Sequence, residues 1–259
     1  MDYSQILSQQ FNIKEEYAKN IITLLDDGNT IPFIARYRKE MHGSMDDQLI
    51  REFAEKLEYL RGLDKRRDEI RSLIDAQEKL TDEINLALDK AATLSELEDI
   101  YRPYRPKRKT RASIAKEKGL EPLANDILKQ EKGFDPSKSA VDYIDEEKGV
   151  TSVEDAIQGA MDIIAELVSD NAEIRKRIRN LTNANGVLVS VATDEEKDSV
   201  YKNYYDYKEP VKKIAGHRVL AVNRGEKEGF LKVSVETDSE KPLNSIFRAM
   251  ITDKNQLCS

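Results

Sequence analysis

The sequence predicts a mostly α protein: a multi-helix array with a helix-turn-helix-like N-terminal unit, a long spine helix and one small β element near the C-terminus. Three observations carry this. Leu, Glu, Lys, Arg and Ala dominate, and these residues favour helices over sheets. Gly and Pro are sparse, at 11 and 7 of 259 residues, so helices are seldom interrupted. Apolar residues recur at regular spacing almost to the end, which argues for a folded chain despite a charged fraction of 35%.

The elements follow in order. Residues 3–10 and 14–26 read as two short helices parted by Asn12, with Tyr17, Ile21, Leu24 and Leu25 on one face of the second. The turn Asp26-Asp27-Gly28-Asn29 leads to Thr30, a cap for a third helix with Pro32 near its first position. That helix, PFIARYRKE, sets Phe33, Ile34 and Tyr37 among Arg36, Arg38 and Lys39. Ser44 and Asp47 resemble a capping box for a long helix running to about residue 77. Its stripe is Leu49, Phe53, Leu57, Leu60, Leu63, Ile70, Leu73 and Ile74, while Lys65-Arg66-Arg67 reads as a solvated face.

Thr81 and the Thr93/Glu96 box open two further helices, the second ending near Tyr101. Helices resume at Ser113–Lys118, stopped by Gly119, and after Pro122. Asp135-Pro136 precedes a short helix, and Thr151 with Glu154 suggests a cap for one lined by Ile157, Ala160, Met161, Ile164 and Val168. The next carries Ile174, Ile178 and Leu181 inward and ends at Gly186. Val187–Val191 reads as a strand, 196–205 as helical, 217–223 as a helix ended by Gly225, and Leu231–Val235 as a strand by its strict alternation.

Composition narrows the functional classes. The formal net charge is −7, so any nucleic-acid site must be a local patch on an acidic body. The single cysteine, Cys258, excludes internal disulfides and Cys-based metal clusters, and fits a cytoplasmic setting. No apolar run approaches the roughly 20 residues needed to span a bilayer, and the N-terminus lacks a signal-peptide pattern. His42 and His217 lack companions at metal-ligand spacing and read as structural or surface residues. No nucleophile motif, phosphate loop or catalytic carboxylate pair is recognisable, so neither enzymatic activity nor a cofactor or small-molecule substrate is expected.

One segment is unusual. YRPYRPKRKTRASIAKEKG places Arg102, Arg105, Lys107, Arg108, Lys109 and Arg111 within residues 102–111, framed by prolines. Clustered cations of this kind bind phosphates by releasing counterions. Tyr101 and Tyr104 are candidates for stacking on unpaired bases. The competing reading is a solvated connector neutralised by acidic helices nearby. Arg36 and Lys39 form a second candidate contact if PFIARYRKE acts as a recognition helix, against a purely structural role for that helix. Arg175, Lys176, Arg177 and Arg179 read as a solvated face.

The strings NTIPFIARYRKEMHGSMDD, LSELEDIYRPYRPKRKTRASIAKEKGLEPLA, YYDYKEP and HRVLAVNRGEKEGFLKVSV occur in this order across residues 28–236. Together they resemble the N-terminal region of the Tex family of bacterial transcription accessory proteins. The resemblance implies a helical scaffold that the family continues into an RNase H-like fold, a helix-hairpin-helix region and a C-terminal OB-type RNA-binding domain, with this chain stopping before them. It implies three parts: 1–78, 79–200 with the basic loop 101–118, and 201–259 as a connector. It also implies nucleic acid (RNA and/or DNA) as a partner, with RNA polymerase or ribosome-associated machinery as further partners. The alternative is a protein-interaction scaffold with little nucleic-acid binding of its own.

Overall fold

The computed structural model describes residues 2–106, 109–252 and 258. The chain divides into two units, Met1–Tyr104 and Arg105–Ser259. Mostly α architecture is what both show.

The first unit begins with α1 (Tyr3–Phe11), α2 (Glu15–Asp26) and α3 (Ile31–Tyr37). Asn12 ends α1 in the left-handed region, at φ 52°, as its side chain tolerates. α4 (Asp47–Asp75) is a 29-residue spine, on the order of 43 Å long at the usual rise. α5 (Asp82–Lys90) and α6 (Leu94–Tyr101) follow, each opened by a threonine whose hydroxyl accepts a first-turn N–H. At α6 the Glu96 carboxylate also accepts from Ala92 N at 2.8 Å, one residue short of the usual capping-box return.

The two halves of α4 serve different clusters. Ile50, Phe53, Leu57 and Leu60 pack with Leu7, Ala18, Ile21 and Ile34 from the first three helices. Leu63, Ile70 and Ile74 pack with Leu88, Leu97 and Tyr101 from α5 and α6. Leu49 and Leu73, predicted inward, are exposed at the margins of the stripe, and Ile50 replaces Leu49 in the core. Arg67 is the larger correction. Predicted on a solvated face, it is 5% exposed. Its Nε donates to Leu88 O at 2.8 Å and its Nη2 to Ala91 O at 2.9 Å. It therefore satisfies carbonyls at the C-terminal end of α5 that the helix cannot, and Asp64 balances its charge.

Three further expectations shift. Ser44 sits at φ 64°, outside the extended conformation that an N-cap needs, and Asp46 caps α4 instead, accepting from Leu49 N. The helix of PFIARYRKE stops at Tyr37, and Lys39 lies in a separate 3-10 turn, Lys39–Met41. Tyr37 does not anchor the core: it is 64% exposed. His42 does, fully buried with Nε2 3.1 Å from Ile34 O.

The second unit opens with α7 (Arg111–Glu117), α8 (Glu121–Lys129), α9 (Pro136–Ala140), α10 (Val153–Asp170) and α11 (Ala172–Asn185). Ala156, Ala160 and Ile163 of α10 meet Ala112, Ala115, Leu120 and Leu123. Gly159 permits this approach, since a Cβ there would stand 2.3 Å from Leu120 Cδ1. Met161, predicted inward, is exposed. The cap of α10 is Ser152, not Thr151, and its hydroxyl accepts from Asp155 N.

The sheet has three antiparallel strands in the order β2-β1-β3: β1 (Val187–Ala192), β2 (Asp206–Pro210) and β3 (Leu231–Glu236). β2 eluded the sequence because DYKEP has no apolar alternation and ends in proline, as an edge strand can. Residues 196–205 are not helical beyond a 3-10 turn at Lys202–Tyr204. Asp194 and Ser199 accept from Glu196 N and Tyr201 N, and these local bonds compete with a helix. Between β2 and β3 lies α12 (Gly216–Lys227), which runs through Gly225 rather than ending there. A Cβ at Gly225 would lie 2.5 Å from Leu231 Cδ1, so this glycine admits β3 against the helix. α13 (Glu240–Met250), which the sequence reading did not foresee, packs on α11. Gln130 fastens its end, donating to Met250 O at 2.7 Å and accepting from Thr252 N at 2.9 Å.

Two predictions follow from the first unit. Arg67→Ala removes the buried donors to Leu88 O and Ala91 O and the cation facing Asp64, and urea denaturation monitored by circular dichroism should show a loss of about 3 kcal/mol. Arg61 grips Asp26 with two bonds, at 2.7 and 2.8 Å, and these hold the Asp26 carboxyl below its ordinary range. The stabilisation is therefore present above that range and is lost as pH falls through the depressed folded value. Both side chains are well exposed, so the effect is only about 0.2–1 kcal/mol. Arg61→Ala should be less stable than the wild type at neutral pH by more than in strong acid, where only its contact with the Tyr3 ring is lost; an equal deficit at both pH values refutes the linkage.

Candidate nucleic-acid interface

The predicted cations fall in both units. Arg36, Lys39 and Arg102 belong to the first; Arg105, Lys109 and Arg111 belong to the second. Lys107 and Arg108 lie outside the described residues.

In the first unit, Arg36 is exposed in the last turn of α3, and Lys39 is exposed beyond the helix end. The two do not share a helix, because the chain leaves the helical conformation at Arg38. The Arg38 guanidinium sits over the Phe33 ring at 5.3 Å. Arg102 is half-buried in the 3-10 turn Arg102–Tyr104 that closes the unit.

The two tyrosines proposed for base stacking are structural. Tyr101 is 6% exposed within the core of α4, α5 and α6. The Arg66 guanidinium covers its ring at 5.6 Å, held there by Glu98 at 2.7 Å. Tyr104 packs against the same core, and its carbonyl accepts from Gln77 Nε2 at 2.9 Å. A stacked base would have to displace core packing.

In the second unit, Thr110 organises the basic segment. Its hydroxyl accepts from Ser113 N, and Ser113 Oγ accepts from Thr110 N, which completes a capping box. Thr110 Oγ1 also donates to Glu166 on α10 at 3.1 Å. Helix α7 thus begins at Arg111, two residues before the predicted start.

Carboxylates and a carbonyl then meet the described cations. Lys109 Nζ stands 3.5 Å from Glu117, Arg111 Nε 3.6 Å from Asp162, and Lys116 Nζ 3.4 Å from Glu121. Lys118 donates to Gly149 O at 2.6 Å. Arg111 is nonetheless 85% exposed at its side chain and Lys109 67%. Ion pairs so open to water contribute only about 0–1 kcal/mol each, so a phosphate could exchange for the carboxylate. Arg111, Lys118, Asp155, Gln158 and Asp162 also rim a shallow cleft of about 210 Å³ between α7 and α10, floored by Ala115, Leu120 and Gly159.

A second group of cations lay outside the sequence reading. Lys208 stands on β2, and Lys212 and Lys213 on the turn that follows; all three are exposed. Next to them Arg218 donates to both oxygens of Glu209, at 2.9 and 3.0 Å, and Tyr207 Oη donates to the same carboxylate. These bonds, the tyrosine first, hold Glu209 below the ordinary carboxylate range, and its acceptance of the proton raises Tyr207. The only signal in the sequence was KEPVKK itself.

No helix among the described residues is long and apolar enough to cross a membrane. Among those same residues, no cluster of three or more His, Cys, Asp or Glu could hold a metal ion.

Fold and surface together define a helical scaffold with a small antiparallel sheet and local basic surfaces on an acidic body. Residues 1–75 match the Tex-like protein N-terminal domain, and residues 131–258 match the Tex central region-like domain. The chain belongs to the Tex family. It is 45% identical over 247 residues to protein YdcI of Bacillus subtilis (strain 168), described as uncharacterized, covering 93% of this chain and 34% of that protein. It is 39% identical over 238 residues to the transcriptional accessory protein Tex of Neisseria gonorrhoeae, covering 91% and 31%. It is 31% identical over 245 residues to the S1 RNA-binding domain-containing protein 1 of Homo sapiens, covering 90% and 24%. The chain thus spans about a third of the length of its bacterial relatives.

Thr110 is the hinge of the local geometry. Thr110→Ala should lower stability by about 1 kcal/mol in thermal denaturation, while Thr110→Ser retains the cap. Equal loss in both variants argues against the cap.

Proposed function

We propose that this chain is a nucleic-acid-contacting segment of a transcription accessory protein, binding RNA or DNA non-specifically through phosphates and without catalysis. One observation carries the reading. Arg105, Lys109 and Arg111 are exposed within a proline-framed basic run, and the ion pairs of Lys109 and Arg111 are open to water. Cations held this loosely can trade a carboxylate for a phosphate and release counterions. The names of the gonococcal and human relatives, a transcriptional accessory protein and an S1 RNA-binding domain-containing protein, support it. Arg36, Lys39 and Arg102 are secondary contacts in this reading.

A second reading is a scaffold that docks RNA polymerase or other protein partners. The net charge of −7 favours it, as do the exposed Leu49, Tyr59 and Leu73 along α4. Capture of RNA polymerase that survives nuclease treatment would support this second reading.

Mobility shifts across a salt series test the first. Log affinity should fall steeply with log salt. Replacing Arg105, Lys107, Arg108, Lys109 and Arg111 together by Ser should flatten that slope while leaving the helical circular dichroism unchanged. The nucleic acid should be recovered intact with magnesium or manganese present. Wild-type binding by the five-site variant sinks the loop assignment, and cleavage sinks the non-catalytic one.

A further inference from the structure

We propose that Lys208, Lys212 and Lys213 form a second phosphodiester contact surface on the second unit, one whose lysines pair with no carboxylate among the described residues. The inference rests on the nucleic-acid reading above and gives it a location. In the basic loop, Lys109 and Arg111 already face carboxylates, so a phosphate must displace them. The side chains of Lys208, Lys212 and Lys213 are exposed and make no ion pair or hydrogen bond among the described residues.

The surroundings explain why these charges stay uncompensated. Glu209 is the only acid between residues 207 and 218. Tyr207 and Arg218 occupy both of its oxygens. α12 begins at Gly216 with no acidic residue in its first turn. Two carboxylates share the sheet face of Lys208. Asp206 lies two residues away on β2, opposite Val191, and Glu236 lies on the far edge strand, opposite Val187. Glu236 is two strand spacings from β2, about 10 Å, which is about the Debye length at 0.1 M salt.

The lysines also stand on fixed backbone. β2 is hydrogen-bonded along β1 in register. Val211 N then donates to Gly186 O at 2.9 Å, and Lys213 N to Pro210 O at 2.8 Å. Little backbone ordering remains to oppose binding. Half-buried Tyr204 and Tyr207, stacked edge-on with centroids 5.2 Å apart, stiffen the same strand from the side.

The test uses the full chain, a single-stranded RNA and a DNA duplex of equal length, and fluorescence anisotropy across a salt series. K208S/K212S/K213S should weaken binding about tenfold near physiological salt and lower the salt slope by about 2 on the RNA or about 3 on the duplex. The polymer whose slope changes identifies the ligand. K208R/K212R/K213R should keep the wild-type slope, and circular dichroism should be unchanged in both variants. If the serine variant binds like the wild type while the five-site loop variant does not, this surface is wrong and the loop reading stands. Absence of binding by the wild-type chain on either probe overturns both. An arginine variant as weak as the serine variant also overturns the proposal, because charge would then not be what the probe reads.

Discussion

A long helix with one apolar stripe cannot be stable in water by itself; it must bury that stripe against something. In the first unit α4 meets this constraint twice along its length. Its N-terminal half collects α1, α2 and α3 around Phe53, where the Phe11 and Phe53 rings meet at 5.3 Å. Its C-terminal half collects α5 and α6 around Ile70. α10 plays the same part in the second unit, through small residues rather than large ones. Ala156, Ala160 and Gly159 let α7 and α8 approach closely. Each unit thus contains a set of short helices gathered by one long one, as expected when most helix stability comes from tertiary packing.

The same spine organises the charges. Arg61, Arg66, Arg67 and Arg71 of α4 reach Asp26, Glu98, the carbonyls of α5 and Asp89 respectively. These arginines are structural fasteners, and of the four only Arg67 is buried. A high charge content therefore says little about binding until each cation has been matched to its partner. After that matching, the exposed cations of interest in the second unit divide into those facing carboxylates, on the basic loop, and those that do not, at Lys208, Lys212 and Lys213. The distinction decides where a polyanion meets the least competition, because a cation already facing a carboxylate must give up that partner before it can neutralise a phosphate.

Membership of the Tex family accounts for the helical frame and agrees with the order of strings found along the sequence. It does not locate a binding surface within this chain. That location depends on exposure and pairing. Both are set by how α10 faces the basic loop and how Arg218 reaches back to Glu209.

Much of the fold was legible in the amino-acid order alone. Helix periodicity, the threonine caps at 81 and 93, the glycine ends at 119 and 186, and the alternation of Leu231, Val233 and Val235 are local signals. They act within a turn or a strand and need no partner to be read. Tertiary structure decided whatever depends on a distant neighbour. Arg67 is buried because the C-terminus of α5 needs its guanidinium. Gly225 lies within a helix because Leu231 packs against it. DYKEP is a strand because β1 offers an edge, and Tyr101 is core rather than a stacking platform because α4 and α5 close over it. The basic loop was visible as composition, but the pairing of Arg111 and the anchoring of Thr110 were not, since Asp162 and Glu166 lie some fifty residues away along the chain. Sequence carries the local bonding preferences of each residue; which of them are met by remote groups is settled only when the chain has packed.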